Sequence, residues 1–338
     1  MAERQKKTVL LGIDTSNYTT SAALSYPVSG RASGGCLFKQ VKQLLAVKDG
    51  QRGLRQSDAV FAHTVNLPVL MEQLFEGLDF DPVIVGIGYS AKPRPQDGSY
   101  MPCFLTGEAA ARSMAAALHV PLYAFSHQEG HIAAAAYSAM ENGDADELSR
   151  NPFLAFHVSG GTTDLLHCTP AGGSYHIDPL GCSLDLHAGQ AIDRTGVMLG
   201  LSFPCGPALE ALAAANTAPY PTPKVCVNGC DCNLSGLENL TQKLMKEGAA
   251  PETVAAFAFA FIRRTLEKMT EAALARYPGE PVLFAGGVMS NRLMRTSLSD
   301  LCRKHGSRAY FAEPAFSSDN AAGISLLACR AYLENHEA

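Results

Sequence analysis

The stretch from Phe153 to Cys168 reads FLAFHVSGGTTDLLHC and decides the fold. Two short apolar runs flank Ser159-Gly-Gly-Thr-Thr163, which predicts a tight strand–turn–strand unit. Backbone N–H groups in such turns bind anions, because small residues let phosphate oxygens approach the main chain closely. A single Gly-Gly turn is more often structural than ligand-binding, so this turn alone does not establish a site.

A similar pattern occurs near the start of the chain. Thr8–Asp14 is a buried apolar strand, and Ser21–Ser25 predicts a returning strand after a turn rich in hydroxyl groups. A third small-residue turn, Gly286-Gly287, follows the apolar strand Val282–Ala285. This echo predicts two similar lobes that bind one polyphosphate between them.

The rest of the chain alternates between helical and strand patterns. Apolar residues recur at helical spacing from Leu67 to Phe75 and again from Val254 to Ala273, and Thr106–Leu118 predicts an alanine-rich helix. Alternation of this kind is typical of an α/β fold. Residues 92–99 and 141–152 are rich in proline or polar residues, and they predict surface loops.

Composition excludes several classes of protein. The 338 residues are 47% hydrophobic and 17% charged, with a net charge of −5, so the chain is neither disordered nor a strongly basic nucleic-acid binder. No apolar run approaches the roughly 18 residues of a membrane span, and we find no signal peptide. We therefore expect a cytoplasmic protein with reduced thiols.

Three of the ten cysteines cluster in the chain, at Cys226, Cys230 and Cys232. Their spacing lacks the two-residue gap of a zinc knuckle, which argues against a metal site there. Asn228-Gly229, inside the cluster, predicts a type I′ hairpin turn.

His127 and His131 are spaced i and i+4, which puts both imidazoles on one face of a helix, where they could bind a single metal ion. A zinc peptidase needs a glutamate directly after the first histidine, but Gln128 stands there, so the peptidase interpretation fails. Asp319 offers a third ligand before the last predicted helix, although an aspartate there can also be an N-cap. Two histidines and one aspartate would form an open metal site.

Several motifs occur in one family's order, and together they are similar to those of the catalytic subunit of tRNA adenosine N6-threonylcarbamoyltransferase. This family was formerly described as an O-sialoglycoprotein endopeptidase. The motifs are His127-x-x-x-His131, Val158–Thr162, Ala188–Arg194, Leu199–Pro207, Leu234–Leu237, Gly286–Asn291 and Ser318–Ala322.

The resemblance implies the two-lobed fold of the actin-like ATPases and sugar kinases, with a nucleotide in the cleft between the lobes. We expect residues 8–126 with 320–338 to form the first lobe and residues 127–319 the second. The resemblance makes His127, His131 and Asp319 the ligands of one transition metal ion, iron or zinc, through which they act in catalysis.

The same resemblance implies an adenine-nucleotide site for threonylcarbamoyl-AMP, ATP, ADP or AMP. Asp193 matches the aspartate that holds the ribose hydroxyls, Gly206 the glycine at the adenosine wall, and Asn291 an asparagine near the nucleotide. The turn for the phosphate and acyl-adenylate matches His157, Val158, Ser159, Gly160 and Gly161.

The chain also departs from the family pattern. The usual Glu-Thr-Ser-Cys-Asp is Asp14-Thr-Ser-Asn17-Tyr18, so the second acid is lost. Thr162 replaces a histidine, Gln190 a glutamate, and Cys205 a glycine. The usual Gly-Pro-Gly loop is replaced by residues 91–100. We therefore interpret the chain as a divergent member or paralogue.

Three functions follow from these features. The first is a metal-dependent transferase that moves a threonylcarbamoyl group from threonylcarbamoyl-AMP to N6 of adenosine 37 in tRNA. Its partners would be tRNA and other subunits of a threonylcarbamoylation complex, including a related actin-like subunit and an ATPase. The alternatives are carbamoyl transfer to a small molecule or another acceptor, and a non-catalytic nucleotide-binding subunit of a tRNA-modification complex.

Overall fold

The computed structural model describes residues 4–16, 18–31, 33–46, 54–141, 147–317 and 319–337. The chain divides into two compact units, of which the first comprises Met1–Asn151, Thr169–Ile177 and Ala315–Ala338. Its elements are β1 (Lys6–Asp14), β2 (Thr19–Pro27), β3 (Gly35–Leu44), α1 (Gln56–Phe75), β4 (Asp81–Lys92), α2 (Phe104–Leu118), β5 (Leu122–Ser126), α3 (His127–Glu141), α4 (Glu147–Arg150) and α10 (Ala322–Glu337).

The sheet of the first unit has the strand order β3-β2-β1-β4-β5. β1 pairs antiparallel with β2 and parallel with β4, and β5 continues the parallel side. β1 ends in a fully buried run, Val9–Asp14, which explains its continuous apolar sequence. α10 packs against β1, β2 and β4 and covers this sheet.

The second unit comprises Pro152–Cys168 and Asp178–Pro314. The remaining elements of the chain are β6 (Phe153–Val158), β7 (Thr163–Ala171), β8 (Ser174–Cys182), α5 (Ala188–Met198), α6 (Gly206–Ala215), β9 (Cys226–Asn228), β10 (Asp231–Asn233), α7 (Gly236–Lys246), α8 (Pro251–Arg276), β11 (Val282–Ala285), α9 (Arg292–Lys304) and β12 (Ala309–Phe311). The outer ends of β7 and β8, residues 169–177, group with the first unit.

The second sheet has the order β12-β11-β6-β7-β8. β6 pairs antiparallel with β7 and parallel with β11. When the strands of each sheet are numbered in chain order, both sheets read 3-2-1-4-5 or its reverse. The echo in the sequence is therefore a repeated fold, and the α/β prediction is confirmed.

The boundary between the units differs from the expected one at residue 127. His127–Asn151 belongs to the first unit, because α3 continues directly from β5 and packs on α10. Asp319 belongs to the same unit, because the segment before α10 leaves the second unit at about residue 315. All three expected metal ligands thus lie in one unit.

The loops mostly follow the sequence prediction. The chain is irregular after Lys92, as expected, whereas residues 147–150 of the expected 141–152 loop form α4. Residues 142–146 of that loop, and Asn17 and Ser318 of the quoted motifs, lie outside the described residues. Among the described residues, no helix combines the length and apolar character needed to cross a membrane.

The predicted hairpin exists, but its turn is shifted by one residue. β9 and β10 pair antiparallel with Asn228 opposite Asp231, so Gly229 and Cys230 form the turn. Gly229 has a φ of +59°, as the first central residue of a type II′ turn requires. The expected type I′ turn needs a positive φ at both central residues, and among the described residues outside glycine only His119 has one.

Candidate metal centre and nucleotide-binding residues

The junction between β5 and α3 carries both histidines and begins with a capping box. The Ser126 side chain accepts the Glu129 N–H at 3.2 Å, and the Glu129 carboxylate accepts the Ser126 N–H at 2.6 Å. This Ser-x-x-Glu pattern satisfies two of the N–H groups that a helix start leaves unpaired. The helix therefore begins at His127, and both imidazoles lie in its first two turns.

Glu129 is occupied by this structural role. Its second carboxylate oxygen accepts a hydrogen bond from the Ser174 hydroxyl. A general base of a peptidase would need a carboxylate directed at the metal-bound substrate. Glu129 therefore serves the start of α3 and the contact with Ser174.

The segment before α10 presents Asp319. The Asn320 side chain, rather than that of Asp319, caps the helix, because its Oδ1 accepts the Ala322 N–H at 3.1 Å. The N-cap role expected as the alternative for Asp319 thus belongs to its neighbour. This leaves the Asp319 carboxylate for the two histidines.

Glycines let α3 and α10 approach closely enough for this contact. A Cβ atom on Gly323 would lie 1.8 Å from the Gly130 carbonyl oxygen, and one on Gly130 would lie 2.8 Å from Ile324 Cδ1. A Cβ on Gly12 of β1 would lie 2.5 Å from the Ser325 nitrogen. Side chains at these positions would push the helices apart, so the glycines fix the distance between the two halves of the site.

His127, His131 and Asp319 form a compact cluster. Nε2 of His127 and Nε2 of His131 lie 3.4 Å and 3.2 Å from the same oxygen, Asp319 Oδ1. One ligand atom from each residue lies within 4.8 Å of the others, and among the described residues this is the one such group of three. The other Asp319 oxygen accepts a hydrogen bond from the Thr19 hydroxyl at 3.4 Å.

Asp14, the last residue of β1, lies behind His127. Its Oδ2 is 2.7 Å from His127 Nδ1, and its Oδ1 accepts the Ser16 N–H at 2.8 Å. The Asp14 side chain is 1% exposed. The carboxylate therefore orients the imidazole and leaves Nε2 directed at Asp319.

The charges of this cluster depend on one another. Burial disfavours the charged imidazole, but the charge and hydrogen bond of Asp14 outweigh it and raise the pKa of His127 to about 10. Burial likewise disfavours ionised Asp14 and Asp319, yet the neighbouring imidazoles hold the pKa of each carboxyl below its usual value. A cation that binds here must displace the His127 proton, so we expect metal affinity to increase with pH.

The donor set fits a transition metal ion. Two imidazole nitrogens and one carboxylate oxygen converge, and a carboxylate holds the outer nitrogen of one imidazole, as is common for histidine ligands. Three protein ligands leave positions for water or substrate. The residues thus fit either iron or zinc.

In the second unit, the predicted anion turn links β6 and β7. The Ser159 N–H donates to the Thr162 carbonyl at 2.8 Å, and Gly160 and Gly161 at its tip are exposed. Cβ atoms on these two glycines would meet nothing within 4 Å. The protein itself thus does not require glycine there, and open space remains for a ligand.

The first turn of α5 lies directly on this turn. The Gly189 N–H donates to the Ser159 carbonyl at 3.0 Å, and the Ala188 N–H donates to Thr163 Oγ1 at 2.9 Å. A Cβ on Gly189 would lie 2.7 Å from Gly160. His157 and Val158 complete the end of β6, half-buried and buried, respectively.

The structure brings Asp193 and Gly206 together. Asp193 Oδ1 accepts the N–H of Cys205, the residue before Gly206, at 2.8 Å. The described residues provide no hydrogen bond to Asp193 Oδ2, and a Cβ on Gly206 would meet open space. A free carboxylate oxygen next to an open glycine is suited to a ribose hydroxyl and an adenine face.

Asn291 has a structural role. It is 4% exposed, and its Oδ1 accepts the Met294 N–H at 3.0 Å as the N-cap of α9. Before it, Gly286 has a φ of +100°, and a Cβ there would lie 2.2 Å from the Val158 carbonyl oxygen. Cap formation explains the asparagine, and its expected contact with the nucleotide stays a prediction.

Two features of this site went unnoticed in the sequence. The Ser126-x-x-Glu129 capping box is visible there and predicts the start of α3. Asp14 gives no local signal for its contact with His127, because the two residues are 113 positions apart and meet only through the packing of β1 and α3.

Solved structures support the fold. The structure is similar to that of HypF in its phosphate- and nucleotide-bound form, with a TM-score of 0.58 and 12% identity over 99% of this chain and 56% of HypF. The structure of HypF from T. kodakarensis matches with a TM-score of 0.55 and 14% identity, over 98% of this chain and 48% of HypF. Component A of the Acidaminococcus fermentans (R)-2-hydroxyglutaryl-CoA dehydratase matches with a TM-score of 0.51 and 14% identity, over 96% of this chain and 98% of the dehydratase component.

The chain spans about half the length of the two HypF chains it matches. At these identities the similarity concerns the fold alone, which is that of the actin-like ATPases and sugar kinases. A family model described as tRNA N6-adenosine threonylcarbamoyltransferase matches residues 43–326, well over half of the chain. The chain therefore belongs to the tRNA N6-adenosine threonylcarbamoyltransferase family, a family of transferases that act on tRNA.

Proposed function

We propose that the chain transfers a threonylcarbamoyl group from threonylcarbamoyl-AMP to N6 of adenosine 37 in tRNA, in a metal-dependent reaction. The observation that carries the proposal is the convergence of His127, His131 and Asp319, with Asp14 behind His127. Family membership supports the substrate class. Neither the metal nor the acceptor follows from the fold alone, since one fold hosts many reactions.

His127, His131 and Asp319 would hold the metal ion, iron or zinc. When bound, this ion supplies Lewis-acid chemistry, which withdraws electrons from a carbonyl oxygen. Asp14 keeps the His127 ring in the tautomer that presents Nε2. Thr19 donates to the second oxygen of Asp319 and so limits its rotation. The ligands are thus preorganised by residues of β1 and β2.

The residues of the second unit would bind the adenylate part of the substrate. The exposed Gly160–Gly161 turn would present main-chain N–H groups to phosphate oxygens, for which the Gly161 N–H gives up its 3.3 Å bond to Ser159 Oγ, and Asp193 Oδ2 would accept from a ribose hydroxyl. Donors at the phosphate stabilise the charge that grows as AMP leaves. The adenine amine forms the new C–N bond, the C–O bond to AMP breaks with its electron pair, and the amine proton passes to solvent or phosphate.

The acceptor would be selected near residues 91–100, where the chain departs from its family. The Pro93 carbonyl accepts the N–H of Gln128, so this loop abuts the residue next to His127. Lys92 Nζ is bound to the Pro95 carbonyl at 2.8 Å and stabilises the loop. Tyr100 is 61% exposed and is suited to stacking on a base.

The test is an AMP-release assay with threonylcarbamoyl-AMP, in the presence and absence of tRNA. We expect AMP release that depends on tRNA and N6-threonylcarbamoyladenosine in the recovered tRNA by mass spectrometry. The assay includes a second arm with the actin-like and ATPase subunits of the family, which tests whether turnover needs a complex of that kind. The His127→Ala/His131→Ala variant serves as the inactive control.

Two other outcomes would favour the alternatives. AMP release that needs a small-molecule acceptor instead of tRNA would favour the second function. Nucleotide binding without turnover in either arm would favour the non-catalytic one. Either result would contradict the proposal.

A further inference from the structure

A small cavity in the first unit lies between α3 and α10, and none of the three expected metal ligands lines it. It is lined by Ser33, Ala133, Tyr137, Ser149, Tyr175 and Arg330, with two leucines of α10. It has room for about one water-sized occupant. Its walls come from α3, α4, α10, the β2–β3 connection and the start of β8, so an occupant would join five parts of the unit.

Arg330 gives this cavity its charge. Its Nη1 is buried and has no hydrogen-bond partner among the described residues. The ion pairs of the described residues do not include Arg330. A buried guanidinium nitrogen without an acceptor is costly, because it has lost its hydration without compensation.

The packing around Arg330 fixes the guanidinium in place. Its Cζ lies 4.9 Å from the centroid of the Tyr175 ring. A Cβ on Gly34 would lie 2.3 Å from Arg330 Cγ, and Gly34 has a φ of +73°, so the chain leaves room for the arginine stem there. The stem of the side chain is therefore packed against Gly34 and its guanidinium against the Tyr175 ring, although the residue as a whole is half-buried.

We propose that the cavity is a binding site for one monovalent halide ion, chloride under ordinary conditions, held by Arg330 Nη1. A charged donor favours a charged acceptor, since such hydrogen bonds are about twice as strong as neutral ones. The space has room for about one water-sized occupant, which favours a single small anion. The ion stabilises the packing of α3 on α10, and the proposal is independent of the proposed transferase activity.

The test compares thermal unfolding in sodium chloride, sodium bromide and sodium gluconate at one fixed ionic strength. We expect the two halides to raise Tm by about 1–3 °C over gluconate, because an ion that binds only the folded state stabilises it. In Arg330→Met, which preserves the bulk, this difference should disappear. Arg112→Met removes an arginine that is 67% exposed, and it should leave the difference intact.

A crystal soaked in bromide provides the second measurement, which needs no variant. An anomalous peak next to Arg330 Nη1 is expected. A water molecule without anomalous signal in that position would overturn the proposal, as would equal Tm values for wild type in all three salts. If Arg330→Met does not fold, the bromide soak and the wild-type Tm comparison still test the proposed halide site.

Discussion

The turn between β1 and β2 and the turn between β6 and β7 occupy the same place in two sheets of the same strand order. The strand ends that flank the first turn present side chains: Asp14 is buried and contacts a histidine, and Thr19 contacts Asp319. The second presents backbone, with two exposed glycines at its tip. One architecture thus carries two kinds of site, a side-chain site suited to a cation and a main-chain site suited to an anion.

The difference between the two turns corresponds to the different ligands that a cation and a phosphate require. A cation needs anionic or lone-pair ligands held at fixed positions, and buried carboxylates provide them. A phosphate needs converging N–H donors and no side chain in the way. If the two roles are separate, a change at one turn leaves binding at the other unchanged.

Removal of both imidazoles should abolish metal binding at the first turn. In His127→Ala/His131→Ala we expect the metal content to fall from about one ion per chain to background, because a single carboxylate binds transition metals weakly. Elemental analysis of the purified protein measures this. His336→Ala, a change at an exposed histidine of α10, is the matched control. Full occupancy in the double variant would exclude these ligands.

Asp14→Asn tests the residue behind the metal ligand. We expect the affinity for zinc to fall about 10- to 100-fold, as is typical when the carboxylate partner of a histidine ligand is lost. Competition with a chromogenic chelator measures the Kd. Ser16→Ala is the control, because it keeps the N–H bond to Asp14 Oδ1 and removes only a hydroxyl without a hydrogen-bond partner among the described residues. Equal zinc affinities in wild type, Asp14→Asn and Ser16→Ala would show that Asp14 does not support the metal ligand.

Gly160→Ala/Gly161→Ala tests the second turn. Because the added methyl groups meet no protein atom within 4 Å, we expect an unchanged Tm. AMP should bind about tenfold more weakly, which corresponds to about 1.4 kcal/mol, since the methyl groups occupy the space of the phosphate. Calorimetry measures the Kd, and Gly236→Ala is the control at another open glycine. A loss of zinc affinity in the double variant would show that the two turns are not separate.

Asp185 offers the smallest effect and a pH test. Burial opposes its ionisation, but hydrogen bonds from Ser235, Leu234 and Leu186 outweigh it and lower its pKa to about 2. The folded pKa lies below the unfolded one, so this stabilisation is present above about pH 4 and disappears as pH falls to 2.

Asp185→Asn should therefore lower the free energy of unfolding by about 1 kcal/mol at pH 7, a modest value because the group is exposed. The difference from wild type should vanish near pH 2. Urea titrations at the two pH values measure it, with Glu238→Gln as the surface control. A difference that persists at pH 2 would contradict the charge-based explanation.

Much of the fold was predictable because it depends on local patterns. The apolar strands, the Ser159–Thr163 turn and the i, i+4 spacing of His127 and His131 are each visible within a few residues. The position of Asp319 before the last predicted helix made it the third candidate ligand, and the resemblance to the family then assigned it that role. These features correspond to β1, β6, α3 and the start of α10.

What the sequence did not reveal depends on packing between distant segments. The assignment of His127–Asn151 to the first unit follows from the α3–α10 contact, which the close approach of Gly130 and Gly323 makes possible. The hairpin turn shifted by one residue because register is set by strand pairing as well as by turn residues. The contact of Asp14 with His127 could not be predicted, because it forms only when β1 and α3 pack together in the folded first unit.

The central claim is that His127, His131 and Asp319 hold one metal ion. Anomalous diffraction at the iron and zinc absorption edges tests it most directly and also identifies the element. The account predicts a single strong peak about 2.0–2.2 Å from Nε2 of both histidines and from an Asp319 oxygen. A peak at Cys226, Cys230 or Cys232 instead, or no peak in crystals grown with either metal, would contradict it.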